Sequence, residues 1–203
     1  MERWADTLQR FQHEFERVGG TFYRVATLHA LPDLIARIAR ERDAHRVVTW
    51  HPSALGTDVS EALGARGLQA RIMPPASLDA ADDRQRLRAE IAQADVGVTG
   101  ADVAIAETGT LVLLSGSGRP RSTALLPPYH VALFDRHALV DSLEHLGVLL
   151  EAWHDGPSPA SRGAAIHCIT GPSRTADIEL TLTRGVHGPR EVHAVFIEEG
   201  FGG

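Results

Sequence analysis

Lysine is absent from this chain, and all 20 basic residues are arginine. That excludes Schiff-base chemistry on a lysine and the lysine of a phosphate-binding P-loop. Cysteine occurs once, as Cys168. No intrachain disulfide can form, and one copy cannot assemble a cysteine-ligated iron–sulfur cluster or a cysteine-based zinc site. Long apolar runs are missing too: none approaches the roughly 18–20 residues of a membrane span. The opening MERWADTLQRFQHEFERV is amphipathic and charged throughout, unlike a signal peptide, so a cytoplasmic protein without membrane contact is expected. An excess of positive charge is also lacking. The net charge of −6 and a pI near 6.0 argue against a nucleic-acid-binding surface. No GxSxG elbow and no GxGxxG after a strand is present. The 11 histidines form no HxH or HxxxH pair, so no metal site is expected.

What is present fits one globular domain. The chain has 203 residues, 43% apolar and 23% charged, enough to bury a sizeable core. Trp4, Leu8, Phe11, Phe15 and Val18 recur at helical spacing, so 2–18 read as a helix with one apolar stripe, ended by Gly19-Gly20. The stripe faces either the core or a partner. Residues 1–20 are read as a flanking helix and 21–203 as a single α/β domain. Strands are expected at Thr21–Val25, Arg46–Trp50, Gln69–Met73, Asp95–Thr99, Leu111–Leu114, Ser122–Leu126, Val131–Phe134, Ala164–Ile169 and Val192–Glu198. Helices are expected around Leu31–Ile38, after an Asp58 cap, over Asp82–Gln93 and over Leu139–Trp153. This alternation predicts a mostly parallel sheet with helices on both faces.

Chemistry is concentrated where predicted strands meet polar turns. Thr99, Gly100 and Asp102 open a stretch that places Glu107, Thr108, Gly109 and Thr110 at the mouth of an apolar run. Buried polar groups without partners cost about 1–3 kcal/mol each, so the cluster either satisfies its own backbone or holds a ligand. Thr170, Gly171, Ser173, Arg174 and Asp177 follow another strand. Ser173 or Thr175 at the start of a helical turn would attract an anion, and Arg174 would clamp a carboxylate or phosphate; an ordinary cap with a surface ion pair is the alternative. His187, beside Gly188, reads as a proton carrier or as a structural turn residue, and His130 likewise as a base or a backbone-bonded turn residue. The Gly-rich segment 115–121, with Arg119 and Arg121, is either an anion cradle or a mobile connection. Ligands of parallel sheets sit outside the carboxyl ends of strands, which is where these turns are expected to converge.

Four segments in order, TGADVAIAETGTLVLLS, LLPPYHVALFDRHALV, TGPSRTADIE and GVHGPRE, resemble the LUD domain of lactate-utilisation proteins. The strong matches cover residues 95–198. The resemblance implies a three-layer α/β fold similar to the NagB/RpiA/CoA-transferase superfamily. It further implies a role in oxidising L-lactate to pyruvate beside two iron–sulfur partner proteins, with the clusters on those partners and no cofactor in this chain. A small carboxylate or phosphorylated ligand is expected in the pocket, and self-association into a homo-oligomer is compatible with the family. CoA transferases of that superfamily use a glutamate followed shortly by glycine, which Glu107 and Gly109 resemble. Two rivals to a ligand-binding subunit therefore remain: a stand-alone acyl- or CoA-transferase using Glu107, and a non-catalytic scaffold docking its partner through the N-terminal stripe.

Overall fold

The computed structural model describes residues 3–76, 78–155, 162–176, 182–185 and 187–201. Helix α1 (Arg3–Arg17) precedes strand β1 (Thr21–Val25), followed by helix α2 (Leu31–Arg40) with Pro32 in its first turn and strand β2 (Arg46–Thr49). Two short helices, α3 (Pro52–Leu55) and α4 (Ser60–Gly64), lead to strand β3 (Gln69–Ile72). Asp58 is not the cap expected: Val59 occupies that position, and Asp58, one residue earlier, accepts the Ser60 N–H at 2.9 Å. Helix α5 (Ala81–Ala92) then returns the chain to strand β4 (Val96–Gly100).

Strands β5 (Val103–Ile105) and β6 (Thr110–Gly116) follow, then helix α6 (Ser122–Leu125), strand β7 (Tyr129–Asp135), strand β8 (Leu139–Val140) and helix α7 (Leu143–Asp155). Strands β9 (Arg162–Ile169), β10 (Arg174–Ala176), β11 (Leu182–Arg184) and β12 (Glu191–Ile197) complete the chain.

Six strands form the expected parallel sheet, in the order β1-β12-β7-β4-β2-β3. Its register assigns the two faces. Val48, Gly97, His130 and Val192 share one face, where Val48 packs with Ile91 of α5; Val47 and Val96 lie on the other and join Leu34, Ile38 and Leu63 of α2 and α4. Helices therefore cover both faces. Phe22, Phe134 and Phe196 stand on the same face as His130, and α1 lies over them. Phe11 meets Phe22 and Phe134 edge-on at ring separations of 6.3 and 5.0 Å, and Trp4 stacks on Phe196 at 5.9 Å. Phe11 and Phe15 are fully buried, each contributing roughly 1.5–3 kcal/mol through burial. The N-terminal stripe thus belongs to the core of this chain and is not a free docking surface.

A second, four-stranded sheet, β8-β5-β6-β9, was not expected. β6 pairs antiparallel with both β5 and β9, and β8 joins β5 in parallel. Its presence explains several departures from the sequence reading. Leu139 and Val140 complete an edge against Ala104 and Ile105, which delays the predicted helix until Leu143. Ser122–Leu125 is helical, because this segment must pass flat across β4. A Cβ at Gly97 would lie 1.9 Å from the Thr123 carbonyl, so only glycine permits that approach. Arg174–Ala176, where a helical turn was expected, is the first strand of an antiparallel hairpin with β11.

Gly109 has a φ of +62°, and a Cβ there would sit 2.3 Å from the backbone nitrogen of Phe15. Gly109→Ala is expected to destabilise the protein by about 2–4 kcal/mol, combining left-handed strain with overpacking against backbone. Gly147→Ala, in α7 with nothing within 4 Å of its Cβ, should be neutral or stabilising by a few tenths of a kcal/mol to about 1 kcal/mol. Urea melts of the two variants check the contrast.

Candidate functional site

From β2 the chain steps outward to β3, returns to β4 on the other side of β2, and continues inward to β7 and β12. The carboxyl ends of β2 and β4 therefore form the switch point where parallel sheets open a crevice. The residues there are tightly organised. The Asp102 carboxylate accepts the Leu114 N–H at 2.8 Å through one oxygen and pairs with Arg119 Nη1 at 2.7 Å through the other. The Arg119 guanidinium lies 5.9 Å from the centre of the Trp50 ring, whose indole N–H donates to the Pro120 carbonyl at 3.3 Å. The His51 N–H donates to Gly118 O at 2.9 Å.

Segment 115–121 is accordingly not a mobile connection. Gly116 and Arg119 exchange N–H···O bonds of 3.2 and 3.0 Å around Ser117 and Gly118. Gly118 has a φ of +73°, and a Cβ there would lie 2.9 Å from that of His51. The loop is a closed turn pinned to the switch point, and Asp102 ties it to β6.

Below this edge, the fully buried Thr99 and His130 approach within 2.8 Å through Oγ1 and Nε2, while His130 Nδ1 has no partner among the described residues. Burial is the chief reason the His130 imidazole is pushed down to about 3, with His193 adding a smaller repulsion. His193, on the opposite face, is lowered to about 4, again first by burial and then by Arg42. Glu191 lies 3.2 Å from His193 Nε2, but Arg42 claims that carboxylate at 2.6 Å and the imidazole stays neutral. His130 therefore functions at neutral pH as an uncharged sheet residue bonded to Thr99.

The other sequence candidates gather at the opposite edge. Thr108, Thr110 and Thr170 form a hydroxyl chain with two 2.7 Å contacts, and Thr110 is buried. Gly109 presses on the backbone of Glu14 and Phe15, and Gly171 on the carbonyl of Val18. These turns embrace the last turn of α1, next to the amino end of β1. Glu107 is exposed, and its Oε2 accepts the Leu143 N–H at 3.0 Å, fixing the start of α7. Ser173 and His187 come together: the His187 N–H donates to Ser173 Oγ at 3.3 Å, and Ser173 N–H donates to Pro189 O at 3.0 Å. Arg190 N–H then reaches Pro128 O at 2.8 Å, just before β7.

The expectation that these turns lie at the carboxyl edge is corrected: His187 and Gly188 precede β12, and β9 belongs to the antiparallel sheet. A strand followed by a polar turn shows neither which sheet the strand joins nor its direction. Asp177 and the side chain of Arg174 lie outside the described residues. Cys168 is exposed, and among the described residues no group of three or more His, Cys, Asp or Glu side chains is placed to hold a metal ion. Among the described residues no helix is long and apolar enough to cross a membrane. Sequence reading missed the role of Trp50 and the Asp102–Arg119 pair, although an Asp–Arg spacing across one predicted strand hinted at it.

The architecture is that of an α/β protein with a solved counterpart, a DUF162 family protein from Deinococcus radiodurans, at a TM-score of 0.60 and 20% identity over 97% of this chain and 99% of that one. The LUD domain model matches residues 8–197, and the chain belongs to the LUD domain family. A lactate utilization protein C from Halalkalibacterium halodurans is 41% identical over 57% of this chain and 49% of its own length. One from an Exiguobacterium strain is 32% identical over 81% and 62%, and an uncharacterized protein of Neisseria meningitidis, NMB1437, is 42% identical over 48% and 40%. The chain spans about half the length of the first of these relatives.

Two buried neutral imidazoles make stability depend on pH. In the unfolded chain both take up protons below about pH 6.5, whereas the folded forms resist protonation until about 3 and about 4. Below about pH 6.5 the unfolded state binds more protons, so stability is full above that value and falls as pH is lowered toward the folded values. Each histidine contributes a slope of about 1 kcal/mol per pH unit. Urea midpoints between pH 7.5 and pH 5 measure it, and His130→Gln should reduce the slope by roughly half.

Proposed function

We propose that this chain is a subunit of an L-lactate utilisation system, in which L-lactate loses two electrons and two protons to give pyruvate. The electrons pass to iron–sulfur clusters carried by two partner proteins, since the single cysteine here cannot supply a cluster's thiolates. The observation that carries this reading is the LUD domain match across residues 8–197, supported by relatives named lactate utilization protein C.

Within that role the chain binds a small carboxylate. Thr108, Gly109, Thr110, Thr170 and Gly171 are occupied with one another or with holding α1, so the groups left for a ligand at that edge are the exposed Glu107 and His187 and the half-buried Ser173. Ser173 Oγ and the His187 ring supply hydrogen bonds, and His187 is the proton carrier for the lactate hydroxyl. Glu107, one carboxylate oxygen on the α7 amide and the other without a described partner, is the group an acyl-transfer reaction would use instead.

Reconstitution with the iron–sulfur partners tests the proposal. Lactate-dependent cluster reduction is expected to require this chain, and Ser173→Ala or His187→Ala should slow it roughly tenfold, about one charge-assisted hydrogen bond in the transition state. Full cluster reduction without the chain overturns the subunit role. A borohydride-trappable acyl adduct lost in Glu107→Gln would replace it with transferase chemistry.

A further inference from the structure

A pocket of about 570 Å³ opens between α5, segment 115–122 and β9, well away from the Ser173–His187 edge. It is lined by four arginines, Arg84, Arg88, Arg119 and Arg121, and among the described residues by no aspartate or glutamate, in a chain whose net charge is −6. Two acids of α5 are engaged elsewhere: Asp83 pairs with Arg86 at 2.7 Å and Glu90 with Arg71 at 3.3 Å, while Asp79 and Asp82 are exposed and do not line the pocket.

The four guanidiniums are not equivalent. Arg119 is neutralised by Asp102 and held against Trp50. Arg84 donates from Nη1 to the carbonyls of Leu78 and Asp79 at 2.9 and 2.7 Å, which positions it without cancelling its charge. The guanidiniums of Arg88 and Arg121 make no hydrogen bond or ion pair among the described residues. Arg84 and Arg88 stand four apart on one helical face, a like-charge pair that costs a few tenths of a kcal/mol in an isolated helix. With Arg119 compensated, three uncompensated cations converge on one concavity whose floor is Leu78, Leu87, Pro74 and Pro120.

We infer that this pocket binds an organic phosphate carrying at least two phosphate groups on a partly apolar body, the class a nucleoside diphosphate represents. A monocarboxylate such as lactate brings one negative charge and leaves two guanidiniums unmatched; a diphosphate brings two to three charges and oxygens enough for bidentate pairing with each. The volume lies in the range of sites for cofactor-sized ligands, and its apolar floor gives the non-phosphate part a surface to cover. The position beside the carboxyl ends of β2 and β3 is where parallel sheets receive ligands. This site is independent of the lactate role: it stands or falls on the arginines alone.

Isothermal titration of the full chain with ADP, inorganic pyrophosphate, inorganic phosphate and L-lactate tests it. ADP is expected to bind, more tightly than pyrophosphate and far more tightly than phosphate or lactate, with affinity falling steeply as salt rises. Arg88→Ala and Arg121→Ala should each weaken ADP at least about tenfold, and Arg86→Ala, on the paired flank of α5, should leave it unchanged. Circular dichroism of each variant confirms the fold, and Arg88→Lys, which keeps charge but loses the planar fork, should recover part of the loss. Absence of ADP binding at millimolar concentration overturns the proposal, as does binding unaltered in Arg88→Ala and Arg121→Ala. Equal affinity for pyrophosphate and ADP would remove the role given to the apolar floor. Retention of polyglutamate without ADP would reassign the patch to protein docking.

Discussion

The close approach of two glycine turns to the end of α1 is the contact on which the rest of the architecture depends. Gly109, between β5 and β6, and Gly171, after β9, meet the backbone of Glu14, Phe15 and Val18 at distances a side chain could not tolerate. They fasten the antiparallel sheet to a helix whose opposite side, through Phe11 and Trp4, lies on the aromatic face of the parallel sheet. The two sheets are thus joined through a helix. The hydroxyls of Thr108, Thr110 and Thr170 satisfy one another inside that junction, which answers why an acid and threonines stand at the entrance to a buried strand. Asp141, which accepts Thr7 Oγ1 at 2.6 Å and supplies the carbonyl for Glu107 N–H, secures the same junction from the β8 side.

The parallel sheet was legible in the sequence because its strands are apolar runs separated by amphipathic helices, and each of those patterns has its own period. The second sheet was not. β5 and β8 span only three and two residues, too short for a period to register, and Leu139–Val140 continues smoothly into residues that fit a helix. Ser122–Leu125 escaped for a related reason: β-branched and apolar residues there bury Thr123 and Ala124 against β4 just as they would in a strand. The candidate site was half legible. Composition marked polar turns, two of which meet at Ser173 and His187, but direction relative to the sheet is a property of pairing, and only register showed that the 185–191 turn enters β12 at its amino end.

His130 shows how a residue type can mislead while its position is correctly found. A histidine at the start of a strand suggests a base, yet register places it in the middle of a six-stranded sheet, between Gly97 and Val192. Without water the charged form is disfavoured so strongly that the ring is neutral across the physiological range. His187, by contrast, is exposed.

The two edges of the parallel sheet therefore carry opposite chemistry. At the amino edge, a serine hydroxyl stands beside an exposed histidine; at the carboxyl edge, arginines surround a concavity with no acid among the described residues that line it. Because the chain is acidic overall, concentrating unpaired guanidiniums in one place costs self-repulsion that dispersal over the surface would avoid. Asp102 shows that the fold can neutralise an arginine where only architecture is required, since it both pairs Arg119 and anchors β6. Arg88 and Arg121 have no such carboxylate among the described residues, although α5 is rich in acids one turn away. An arrangement that pairs Arg86 and Arg71 on one flank and leaves the other bare has its counter-charge supplied from outside the chain.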